Sequence, residues 1–187
     1  MKALQGPTIQ RFWADPLDPA RLERSEAHEE ELHQGRLLAN SAEERLRHAL
    51  RIKGDPATLK SLLLSARMFD YLAMKNIYAV EWSKYFRQLQ ENPAPELVSL
   101  FVNIQIATQD HSMLADLMDT ITELRESYRE AWLEESTSYR LGTALARWDA
   151  ECEYWREMQA RVPGVLRARK PGDPFPSLEA LRSPRGH

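Results

Sequence analysis

At 187 residues, 43% hydrophobic and 28% charged, the chain is long enough to enclose one sizeable core and too apolar to be disordered throughout. Its net charge of −3 gives nucleic acid and anionic lipid no global attraction, so neither is expected as a partner. The single cysteine, Cys152, excludes an intrachain disulfide and a cysteine-built zinc site, and fits a reducing compartment.

Residues 1–17 read as an extended segment, and MKALQGPTIQRFW lacks the apolar run of a signal peptide. The most apolar stretch, Leu97 to Ala107, is shorter than the roughly 20 residues that span a bilayer. A soluble chain is the expectation, cytoplasmic or of unassigned location.

Asp18-Pro19 predicts a helix start, with Asp as cap and Pro where its missing N–H costs nothing. That helix is expected to run to about Asn40, highly charged with a thin apolar stripe. Ser41 and Glu44 have capping-box spacing and predict a separate short helix to about Ile52. Gly54 ends it, and Asp55-Pro56 repeats the cap-and-proline start. No Gly or Pro follows from Ala57 to Asn92, so a long helix to about Gln90 is predicted. Its middle is apolar nearly all round, which places it at the centre of a bundle.

Pro93 and Pro95 break that helix, and another is expected from Pro95 to about Ala107, with Asp110 as the next cap or kink. Leu114, Leu117, Ile121, Leu124, Tyr128 and Trp132 form one stripe at spacings near three and four. Leu141, Leu145, Trp148, Cys152, Trp155 and Val162 form another. The two predict an antiparallel hairpin turning at Ser136–Ser138, with Trp148 against residues 117–124. From residue 163 to 187, proline and arginine accumulate and predict a loosely ordered basic tail, with one helical turn near Ser177 to Leu181. The fold class is therefore all-α: a helical bundle over 18–162 with a long central helix and a hairpin.

Glu30-x-x-His33 has the spacing by which one helix offers two ligands to a carboxylate-bridged di-iron centre. A complete centre needs a second such pair and two more glutamates. The chain holds no second pair, so a ferritin-like metal protein is disfavoured and Glu30 and His33 are expected on a solvated face. No cofactor is expected. Asp70, Lys75 and Asn76 interrupt the central apolar run; buried charges must be paired or face a cavity. With no acid–base pair beside them, a structural polar network is expected, Asp70 meeting Arg67, Lys75 or another helix; the alternative is that they line a small pocket. The tryptophans fall on apolar stripes and read as core. Cys152 sits between Trp148 and Trp155, where a thiol is inert. No phosphate loop, nucleophile elbow or zinc-protease motif occurs, and no catalytic residue is assigned.

Tyr128, Trp132, Leu133, Glu135, Tyr139, Leu141, then Arg147-Trp148-Asp149 and Trp155, resemble the C-terminal helical region of bacterial family 20 glycoside hydrolases, the β-N-acetylhexosaminidase-like proteins. Ser136 stands where that pattern has Asn and Ser138 where it has Pro, and the resemblance covers only residues 128–155. It implies a non-catalytic accessory domain that supports a barrel or dimerisation. Carbohydrate would then be bound only by a separate domain carrying the family's Asp–Glu pair. The alternative is a free-standing helical interaction module. Both readings imply a protein partner or a homo-oligomer.

Overall fold

The computed structural model describes residues 12–52, 54–106, 112–170 and 173–181. All regular elements among them are helical: α1 (Pro19–Ala27), α2 (Glu29–Ile52), α3 (Pro56–Glu91), α4 (Pro95–Phe101), a π-helical turn (Val102–Ile106), α5 (Met113–Glu135), α6 (Leu141–Ala168) and α7 (Leu178–Leu181). The all-α expectation holds. No helix of the described residues is long and apolar enough to cross a membrane.

Three starts follow from short polar caps. Asp18 accepts from the Arg21 N–H at 3.3 Å, Asp55 from the Thr58 N–H at 3.2 Å, and Ser112 from the Ala115 N–H at 3.0 Å. The break between the first two helices lies at His28, not at Ser41. The His28 N–H closes α1 onto the Ser25 carbonyl, and Glu29, Glu30 and Glu31 then open α2, where acids favour a helix N-terminus. Ser41 and Glu44 lie inside a continuous helix. With no proline between 29 and 52, nothing forces the backbone to end there.

The central helix α3 packs against α1, α2, α4 and α5. Its buried residues run from Ala66 to Leu89, as expected of a helix apolar on most sides. α5 and α6 form the predicted antiparallel hairpin. Arg125 of α5 meets Asp149 of α6 at 2.6 Å, and the Tyr128 and Trp148 rings lie 5.2 Å apart. The register shifts one expectation: the Trp148 ring meets Tyr128, one turn beyond the predicted 117–124. A turn centred near Ser138 sets position 148 opposite position 128. Trp148 also touches Phe12 and Trp13, at 5.6 and 5.0 Å between ring centroids.

Two boundaries differ from the sequence reading. Phe12 and Leu17 are 3% and 2% exposed, so the end of the N-terminal segment belongs to the core. α6 passes through Pro163 to Ala168. Proline removes the hydrogen bond to the carbonyl four residues back; burial of Val162 and Leu166 on either side, at 2% and 4% exposed, offsets that loss. The single turn near Ser177 to Leu181 is present as α7. Residues 1–11, Ala107, Asp110, and residues 171–172 and 182–187 of the predicted tail lie outside the described residues.

Candidate functional site

The predicted polar network divides into three separate arrangements. Lys75 is 1% exposed. Its Nζ lies 3.1 Å from Glu151 Oε1 and donates to the Phe12 carbonyl and, at 3.3 Å, to the Ala14 carbonyl. Glu151 also accepts from the Tyr71 hydroxyl at 2.9 Å, and that hydroxyl accepts from the Trp155 indole N–H at 2.7 Å. Nearby, Asp15 accepts from Tyr154 and from the Leu17 N–H, both at 2.9 Å. Tyr71 and Lys75 stand one turn apart on α3, and Glu151, Tyr154 and Trp155 likewise share one face of α6. The cluster therefore joins α3 to α6 and pins the N-terminal segment to both.

This interior arrangement is structural. A buried ammonium requires a counter-charge and carbonyl acceptors, and it has both. The Phe12 and Tyr71 rings lie 5.4 and 5.6 Å from the Lys75 Nζ and close the space around it.

Asp70 turns the other way. It meets Arg36 of α2 at 3.0 Å, the expected alternative of a partner on another helix, while Arg67 goes to Glu123 and Ser127 of α5. Asn76 donates to the Leu72 carbonyl at 2.6 Å and accepts from Ser25 of α1 at 3.2 Å. Sequence reasoning missed Glu151, Tyr71, Tyr154 and Asp15. A signal for Glu151 existed: it stands three residues after Trp148 and four before Trp155, an acid on the inward stripe.

Glu30 and His33 are exposed on α2, and Glu30 accepts from Gln34 at 2.9 Å. Among the described residues no group of three or more His, Cys, Asp and Glu gathers as a metal site would need. Across the α2–α3 contact, Glu81 has its carboxyl pushed up by burial; the charge of His33 lowers it, that of Glu29 raises it and that of Lys84 lowers it. Cys152 is buried, and burial pushes its thiol up, away from the reactive thiolate.

The surface offers an apolar groove between the C-terminal part of α3 and the α4–π segment. Leu97, Leu100 and Ile104 recur at three and four residues, on one helical face, and are 39%, 51% and 51% exposed. Tyr85, Gln88 and Leu89 of α3 form the opposite wall, and Phe101 lines the base. The recess holds about 60 Å³, enough for one side-chain knob. Glu91 and Glu96 are exposed at the bend joining the two helices.

No family model, curated protein or solved structure matches this chain.

Proposed function

We propose that this chain is a non-catalytic helical module that binds another protein, seating an amphipathic helix of that partner in the groove between α3 and α4. The observation that carries this reading is the row Leu97, Leu100, Ile104, left half-exposed over an apolar recess. Docking of a helix in a groove uses anchors at such three- and four-residue spacings.

Size decides the occupant. A stable dimer of globular faces buries about 800 Å² per partner. A ridge of three aliphatic side chains beside Tyr85 offers a few hundred. That matches one helix better than a second copy of the chain. Glu91 and Glu96 favour basic residues at one end of that helix. The resemblance to family 20 glycoside hydrolases supplies one source for it, the outer helical layer of a barrel.

The test uses a short helical peptide of leucine and lysine with apolar residues on one face, titrated by fluorescence anisotropy. The parent should bind it, and Leu100→Asp should weaken binding about tenfold or more, the scale of one lost interface anchor. The added aspartate strengthens non-specific attraction to lysine, so a fall in affinity reports the groove. Equal binding by both proteins would overturn the reading. Sedimentation showing a dimer that Leu100→Asp dissolves would replace the partner helix with a second copy.

A further inference from the structure

The α4–π segment has a second face. Opposite the row of Leu97, Leu100 and Ile104, the residues Val98, Ser99, Val102 and Asn103 look into a cleft of about 530 Å³ whose far wall is the end of α6. The volume falls within the roughly 300–1,000 Å³ typical of small-molecule sites. Its apolar surface comes from Pro93, Pro95, Val98, Val102 and Leu166, and its polar groups include Arg167 and Arg169; among the described residues no acid lines it. In a chain of net charge −3, a cleft whose described lining carries two guanidiniums and no carboxylate is a local reversal of sign.

The two arginines are presented differently. Arg169 is held in place: its Nε and Nη2 donate to the Asp173 carbonyl at 3.0 and 2.8 Å, and its guanidinium lies 5.5 Å from the Phe175 ring centroid. A carbonyl and a ring fix a guanidinium without neutralising it. The Asp173 carboxylate accepts from the Lys170 N–H at 2.9 Å. Arg167 is exposed on the last turn of α6 and makes no ion pair among the described residues.

The near wall is irregular helix. The near wall includes the π-helical turn Val102–Ile106, and the far wall follows Pro163 within α6. π-helical turns cost regular hydrogen bonding and recur at functional sites. Here the irregularity lies beside a recess that combines apolar walls with fixed positive charge.

We infer that this cleft binds a small amphipathic anion, with its apolar body against Val98, Val102 and Leu166 and its carboxylate or comparable acidic head between Arg167 and Arg169. Guanidinium groups suit such heads because they bind them through paired hydrogen bonds. The site is independent of the helix groove on the other face.

The probes are decanoate and decanol, which share a chain and differ in the head group, competed against the fluorescent anion anilinonaphthalene sulfonate on the full chain. Decanoate should displace the dye at least about tenfold more effectively than decanol, the scale of one charge-assisted contact. The double variant Arg167→Gln with Arg169→Gln should bring decanoate down to the level of decanol. Asn103→Trp, a substitution of an exposed lining residue, should exclude both probes while leaving the melting transition in place. Arg24→Gln, an exposed arginine on α1, controls for net charge and should change nothing. Equal displacement by decanoate and decanol in the parent, or unchanged decanoate displacement in the double variant, would overturn the inference. So would loss of dye binding in Leu100→Asp, which would put the probe in the other groove.

Discussion

Where α3 meets α2, the contact is a fringe of ion pairs: Glu29 with Lys84 at 2.7 Å and Arg36 with Asp70 at 3.0 Å, extended by Glu26 of α1 with Arg87 at 2.8 Å. Of the residues of α2, only Ala39 is buried. Where α3 meets α5 and α6, the contact is an apolar and aromatic layer with one ion pair sealed inside it, and the pairs Lys60–Glu134 and Arg67–Glu123 lie at its rim. α6 buries Leu145, Trp148, Glu151, Cys152, Tyr154, Trp155, Met158, Val162 and Leu166. Exposed ion pairs are worth about 0–1 kcal/mol each, whereas burying one large apolar side chain contributes about 1.5–3 kcal/mol. Most of the stability therefore lies on the hairpin side, and α2 is the weaker partner of α3.

The comparison can be broken most sharply at Glu151. Glu151→Ala leaves the Lys75 ammonium buried without its counter-charge and should cost about 3–5 kcal/mol in chemical denaturation. The double variant Lys75→Met with Glu151→Leu should cost far less, because removing both charges of a buried pair is often close to neutral. A single variant as stable as the parent would show that the pair is not enclosed. Trp148→Ala follows, at about 3–5 kcal/mol, since it opens a cavity among Phe12, Trp13 and Tyr128. On the α2 side, Leu38 is 71% exposed, and Leu38→Ala should change stability by no more than about 0.5 kcal/mol.

Smaller effects sharpen the picture. Arg36→Ala removes a partly buried ion pair and should cost about 1 kcal/mol, a cost that shrinks in high salt. Glu81 has a carboxyl pushed above its ordinary value by burial. A raised carboxyl favours folding while it is protonated. That contribution is complete below the unfolded-state value and is lost as pH rises through the folded-state value. Glu81→Gln should therefore raise the melting temperature slightly at neutral pH and flatten its fall across the acidic range. A melting temperature lowered by Glu81→Gln at neutral pH would reverse the sign of this account.

How far the sequence could be read follows the same division. α3 and the hairpin were legible because long breaker-free stretches and three-four spacing reflect burial, and burial dominates on that side. The α1–α2 boundary was not, because a charged helix on the surface carries little periodic signal. The Ser41–Glu44 box names a start that the chain is free to ignore. Pro163 misled for a different reason: its cost is local, whereas the burial of Leu166 that offsets it depends on the tertiary fold. Lys75 was recognised as a buried charge, but its partner lies 76 residues away, and no local rule reaches that far. Asp70 and Asn76 are near it in sequence but leave α3 in other directions, so proximity along the chain overstated their connection. The Leu97–Leu100–Ile104 row was visible as an apolar stretch, and only the fold shows that it stays half-exposed.

Native-state hydrogen exchange, with amides of α2 and α6 followed at low and at high salt, tests the division of stability most directly. The amides of α2 around Ala39 should exchange through local opening, well before global unfolding, and faster at high salt. Those of α6 around Glu151 and Trp155 should exchange only with global unfolding and respond little to salt. Equal protection of the two helices, or protection of α2 that salt does not weaken, would contradict the account.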